Sequence, residues 1–141
     1  MGGKRLAKYM IIKTKRSQKW IEKLKAHKHT GIHLIAEFWN GKVIEDPKEF
    51  KQILIGAVKK SKSTILEVVV HKFSPKGVTG IVVLAESHLA IHTWPELNYV
   101  AVDIFTCGDK SNPHRALEYL RKAFKPKRVE ITELKRGITK K

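Results

Sequence analysis

Two apolar runs with almost nothing between them constrain this chain more than any other feature. Ile81-Val82-Val83-Leu84-Ala85 is followed by His88-Leu89-Ala90-Ile91-His92-Thr93-Trp94, with only Glu86-Ser87 as spacer. A short apolar run bounded by polar residues reads as a buried strand. Two such runs must double back, so Glu86-Ser87 is expected at or near a tight reversal. The segment 86–96 thereby collects a serine, two histidines, two acids and a tryptophan, ahead of the single cysteine, Cys107, in Asp103-Ile104-Phe105-Thr106-Cys107-Gly108. Reactive groups at the ends of rigid strands are held more firmly than on a free loop.

The flanking sequence supplies a sheet and two helices. Ile32, Leu34, Ala36 and Phe38 alternate with His33, Ile35, Glu37 and Trp39, the period of a strand. Asn40-Gly41 then signals a turn. Asp46-Pro47-Lys48-Glu49 opens a helix: an aspartate that caps free amides, a proline at the first helical position and a glutamate in a capping-box-like place. Phe50, Ile53, Leu54, Ala57 and Val58 form its single apolar face, and it should end near Lys60. Residues 64–71 and 99–106 read as further strands. Asn112-Pro113 starts a second helix with Ala116, Leu117, Leu120 and Phe124 inward, Pro126 ends it, and residues 128–134 give a last strand. Two helices on one face of a mainly antiparallel sheet make an α+β two-layer sandwich. Residues 1–30 read as a basic extension, with one short amphipathic helix around Trp20, Ile21 and Leu24, and 31–141 as one domain.

The formal net charge of +16 would suit a nucleic-acid partner, but its distribution argues otherwise. Residues 1–30 carry +9 and residues 121–141 carry +7, while 31–120 hold ten basic and ten acidic residues. The charge belongs to the ends, which read as solvated arms, so nucleic acid is not the expected partner. No apolar run approaches the roughly 20 residues of a membrane span, and nothing resembles a signal peptide. A lone cysteine suits a reducing cytosol, so a cytoplasmic location is expected.

Taken alone, each reactive residue has an ordinary explanation. Ser87 is not in a Gly-x-Ser-x-Gly elbow and could be a turn residue. His92 could be a hydrogen-bonded core histidine, and Cys107 a small buried hydrophobe. Along a strand at about 3.3 Å per residue, His88 and His92 lie roughly 13 Å apart, so no metal is expected from that pair.

Together, however, Phe73-Ser74-Pro75-Lys76-Gly77-Val78-Thr79-Gly80, Ala85-Glu86-Ser87-His88, His92-Thr93-Trp94-Pro95-Glu96 and Phe105-Thr106-Cys107-Gly108 resemble the prokaryotic S-adenosylmethionine decarboxylase proenzymes. The likeness runs more loosely from Gly31 to about Gly137. It implies self-cleavage between Glu86 and Ser87, leaving a pyruvoyl group derived from Ser87 that forms a Schiff base with the substrate amine and needs no metal. It implies His92 as the base in processing, Cys107 as proton donor, Phe73 and Glu96 as contacts for adenine and ribose, and a homodimer with sites near its interface. Thr79 stands where the family usually has a serine that supports processing; it keeps the hydroxyl and adds a methyl group. Trp94 reads as structural. A sister family of pyruvoyl arginine decarboxylases leaves arginine as an alternative substrate, and an inactive basic nucleic-acid-associated protein is the alternative of another class. Positions 87 and 92 have opposite parity in a straight strand, so the role of His92 calls for a turn or bulge between Glu86 and His88.

Overall fold

The computed structural model describes residues 28–107 and 110–139. Among these residues six strands form one sheet: β1 (Lys28–Trp39), β2 (Ile65–Lys72), β3 (Val78–Leu84), β4 (Ser87–Trp94), β5 (Tyr99–Cys107) and β6 (Arg128–Thr139). Their order is β2-β3-β4-β5-β1-β6, with every neighbouring pair antiparallel. Helix α1 (Pro47–Ser61) packs on β2 and β3, and α2 (Pro113–Phe124) packs on β1 and β5. This is the expected sandwich of two helices on an antiparallel sheet.

Both helices begin as their sequences dictate. Asp46 accepts a hydrogen bond from the Lys48 amide (3.1 Å) ahead of Pro47, and Asn112 accepts one from Arg115 (3.3 Å) ahead of Pro113. The inner face of α1, Phe50, Leu54, Ala57 and Val58, meets Ala116, Leu117, Leu120 and Phe124 of α2 in one core. Leu34, Ala36 and Phe38 of β1, Val82 of β3, Leu89 and Ile91 of β4, and Val102 and Ile104 of β5 close that core from the sheet.

Strands β1 and β6 run longer than their composition suggests. Beyond Gly31↔Cys107, where β5 ends, β1 continues to Lys28 by pairing with β6, through His29↔Ile138 and Lys28↔Thr139. Apart from Ile138 these residues are polar or basic, and only mutual pairing makes them strand. The helix expected around Trp20, Ile21 and Leu24 lies outside the described residues.

Among the described residues, the second face of the sheet carries no helix. The strand period puts His33, Ile35, Glu37 and Trp39 there from β1, and Thr79, Ile81 and Val83 from β3. Beside them stand His88, Ala90, His92 and Trp94 from β4 and Tyr99, Asp103 and Phe105 from β5. Val69, Ile81, Val83, Trp94 and Leu134 are large apolar side chains left exposed on it. Several large apolar side chains left exposed on one face are unusual for a lone chain.

Gly80 sets how closely α1 approaches the sheet. A Cβ at this position would stand 2.5 Å from Leu54 Cδ1 and 2.6 Å from Phe50 Cε1, both on buried side chains. Gly80→Ala should therefore destabilise the fold by about 1–3 kcal/mol through overpacking. Urea unfolding measures this, and an unchanged midpoint would contradict the packing described.

Candidate active site

Ala85 and Glu86 form a two-residue turn between the paired residues Leu84 and Ser87. Thr64 pins the turn on one side. Its carbonyl accepts from the Ala85 amide (3.0 Å), while its amide and hydroxyl donate to the two carboxylate oxygens of Glu86 (2.9 and 3.1 Å). On the other side, the Cys107 amide donates to the main-chain carbonyl of Glu86 (2.9 Å). Ser87 then takes φ of 144°, a backbone region that residues with a Cβ rarely adopt. Such a conformation costs on the order of 1–3 kcal/mol and persists only where surrounding structure enforces it.

The bond between Glu86 and Ser87 thus has a carbonyl already receiving an N–H and a neighbouring hydroxyl. A backbone donor aimed at such an oxygen stabilises the negative charge that nucleophilic attack places there. The Ser87 hydroxyl lies 3.3 Å from His88 Nδ1. His88 Nε2 is in turn 3.2 Å from Asp103 Oδ1, and His33 Nε2 is 2.5 Å from the same oxygen. Arg136 Nη1 approaches His33 Nδ1 at 3.4 Å. Phe105 packs against both imidazoles, because β5 pairs with β1 at His33↔Phe105 and with β4 at His88↔Phe105. Asp103 stands on the exposed face, as its place in the strand predicts.

Sequence reasoning missed His33 and His88 as site residues. Their shared parity with Asp103 is the signal that could have found them, but it becomes useful only once the strand order is known. His33, His88 and Asp103 have ligand-type atoms within 4.8 Å of one another. Their contacts are imidazole N–H groups donating to a carboxylate, which occupies the two Nε2 atoms a cation would need. His88 and His92 form no such pair.

The remaining predicted residues lie at the opposite end of the sheet. β4 keeps an unbroken register, from Ser87 to His92 against β3 and from Ser87 to Trp94 against β5, with no bulge. His92 is therefore about 16 Å along the strand from Ser87. Its Nδ1 meets the Thr79 hydroxyl at 2.9 Å, since Thr79 and His92 are paired across β3 and β4. Trp94 stacks on Tyr99, which stacks on Trp39. The Tyr99 hydroxyl donates to Glu37, and burial together with that carboxylate pushes the phenol well above its usual range. Trp94 is thus part of an aromatic stack, as expected of a structural residue. Phe73 is half-exposed and edge-on to His71, at the start of a loop closed by its own amide donating to Gly77 O (2.8 Å). Gly77 permits that closure with φ of 98° and donates to Glu45. Glu96 is exposed in the short 3-10 turn Pro95–Leu97.

The predicted residues accordingly form two groups. Glu86, Ser87 and Cys107 are together at the turn end, with His88. Phe73, Thr79, His92 and Glu96 occupy the far end, and a single chain does not bring the groups together.

Comparison with known proteins identifies the family of the chain as a whole. Residues 32–137 match the family model described as S-adenosylmethionine decarboxylase. The S-adenosylmethionine decarboxylase proenzyme of Pelotomaculum thermopropionicum is 49% identical over 113 residues, covering 79% of this chain and 90% of that protein. The proenzyme of Methanococcus maripaludis is 44% identical over 113 residues, covering 79% of this chain and 93% of its own. The crystal structure of the adenosylmethionine decarboxylase from Aquifex aeolicus superposes with a TM-score of 0.76 at 37% identity, covering 81% of this chain and 96% of that one. With the match spanning all of the sheet's central strands and both helices, this chain belongs to the S-adenosylmethionine decarboxylase family.

Proposed function

We propose that the chain cuts itself between Glu86 and Ser87 and, as a homodimer, decarboxylates S-adenosylmethionine, with a pyruvoyl group made from Ser87. The observation that carries this reading is the Glu86 carbonyl, held by the Cys107 amide beside the hydroxyl of a strained serine. Ser87 Oγ attacks that carbonyl and the Cys107 N–H stabilises the resulting alkoxide. Collapse breaks the peptide C–N bond and leaves an ester with a free amine on residue 87. Removal of the Ser87 Cα proton then breaks the Cβ–Oγ bond and releases the Glu86 carboxylate. The dehydroalanine left behind tautomerises and is hydrolysed, losing ammonia.

His92 is the base for the Cα proton, and it comes from a second chain. The distance of about 16 Å within one chain supports this. So do Val69, Ile81, Val83, Trp94 and Leu134, exposed on the face opposite α1 and α2. Two such faces, related by a two-fold axis lying between them and across β4, lay the Ser87 end of one chain on the His92 end of the other. Thr79 holds His92 by its hydroxyl and performs the serine's part in processing.

Once formed, the pyruvoyl carbonyl supplies an electron sink for the carbanion left by loss of carbon dioxide. The Cys107 thiol, at the same end as Ser87, delivers the proton to that carbon. Phe73 offers a flat face to adenine and an attractive one to the sulfonium, and Glu96 accepts from the ribose hydroxyls. The product is the aminopropyl donor for polyamine synthesis. We place the enzyme in the cytoplasm; among the described residues no helix is long and apolar enough to cross a membrane. Residues 1–30 are an extension to the decarboxylase unit, save that Lys28, His29 and Thr30 belong to β1.

Denaturing mass spectrometry should find an 86-residue piece and a 55-residue piece, the latter resistant to Edman degradation, while Ser87→Ala stays one chain of 141 residues. Wild-type protein that stays intact under every condition would refute the reading. Carboxyl-labelled S-adenosylmethionine should release labelled carbon dioxide and arginine should not. Phe73→Ala should lose most turnover yet still cut itself. Release from arginine alone would reassign the substrate.

A further inference from the structure

We propose that His88 is the base that takes the Ser87 hydroxyl proton in the first step of self-cleavage, with Asp103 as its positioning residue. This rests on the self-cleavage reading above and assigns a step that reading leaves without a base. Attack by Ser87 Oγ on the Glu86 carbonyl requires a group to remove the hydroxyl proton and then to protonate the departing nitrogen. His88 Nδ1 lies against Ser87 Oγ at 3.3 Å. The Glu86 carboxylate, the nearest other base in sequence, is committed to the Thr64 amide and hydroxyl. His92 is at the far end of β4, hydrogen-bonded to Thr79.

The surrounding hydrogen bonds fix the tautomer that the role demands. Arg136 has only protons to offer, so His33 Nδ1 accepts from it and His33 Nε2 carries the hydrogen that goes to Asp103 Oδ1. The carboxylate oxygen also accepts from His88 Nε2–H. That leaves the lone pair of His88 Nδ1 directed at the Ser87 hydroxyl. A carboxylate behind an imidazole, holding it in the accepting tautomer and stabilising the cation that forms, is the arrangement that serine hydrolases use on unrelated folds. A contact of 3.3 Å is long for proton transfer, but such bonds tighten as a reaction proceeds.

The step balances. The Ser87 O–H bond breaks and its proton passes to His88 Nδ1 as Oγ bonds the Glu86 carbonyl carbon. The alkoxide collapses, the C–N bond breaks, and the same proton passes from His88 to the nitrogen of residue 87. The ester forms with no net change in protons. His92 acts only afterwards, on the Cα proton, so the two histidines serve successive steps. They are separable because hydroxylamine at neutral pH cuts an ester at residue 87 but leaves the peptide bond between Glu86 and Ser87 intact.

Precursor made by cell-free synthesis and followed on denaturing gels, with and without hydroxylamine, tests this. His88→Asn keeps a hydrogen-bond acceptor beside Ser87 but removes the basicity, and the site is partly solvent-exposed. It should slow scission by about a hundredfold or more, with the accumulated precursor resistant to hydroxylamine. Asp103→Asn should slow the same step and likewise accumulate no ester, an outcome that a merely structural aspartate would not give. Circular dichroism checks that each variant folds. Should His88→Asn not fold, His88→Gly with added imidazole decides, since a small diffusible base should restore scission. Scission of folded His88→Asn within a few-fold of wild type, arrest as a hydroxylamine-sensitive ester, or failure of imidazole to rescue folded His88→Gly would overturn the proposal while leaving self-cleavage standing. Wild-type chain that never cuts would remove both.

Discussion

Strand β4 is hydrogen-bonded on both sides, to β3 from Leu84↔Ser87 to Thr79↔His92 and to β5 from Ser87↔Thr106 to Trp94↔Tyr99. A central strand paired in this way cannot slip, since a shift of one residue would turn its buried side chains outward. The register therefore holds Ser87 beside Cys107 at one end and His92 beside Thr79 at the other. It also lines His88 up with Phe105, and so with Asp103 and His33. The buried alternation of β3 and β5 against the helices keeps that register in place.

The two faces of the sheet divide the labour. One packs Phe50, Leu54, Leu120 and Phe124 of the helices into a close-fitted core that stabilises the fold. The other carries histidines, an aspartate and unburied apolar groups, a mixture that contributes little to the stability of a single chain. Strain is concentrated where these requirements meet, at Ser87. Thr64 and Cys107 hold the turn from opposite sides while Ser87 adopts its positive φ. The same Cys107 amide that restrains the turn also polarises the carbonyl that the proposed self-cleavage would attack, so restraint and reactivity would share one hydrogen bond.

Local rules made much of this legible in advance. Asp46-Pro47 and Asn112-Pro113 announced both helices through capping, and the near absence of spacer at Glu86-Ser87 announced the hairpin. Composition concealed the ends of β1 and β6, which are mostly polar and become strand only by pairing with each other across more than a hundred residues of sequence. The cluster of His33, His88 and Asp103 was equally hidden, because it arises from the order of three strands. Strand parity correctly set Ser87 and His92 apart. A bulge was the anticipated remedy, yet the register is continuous and the separation stands.

That separation makes the two-chain site the central claim, and mixed dimers test it most directly. His92→Ala retains Ser87 but lacks the later base, while Ser87→Ala retains His92 and cannot be cut. Co-expressed with distinguishable tags, the two should form dimers containing one complete site. The account predicts that the His92→Ala chain, stalled when alone, is cut in the mixture, and that the Ser87→Ala chain stays whole. A His92→Ala chain that remains uncut in verified mixed dimers, or that cuts at the wild-type rate alone, would contradict it.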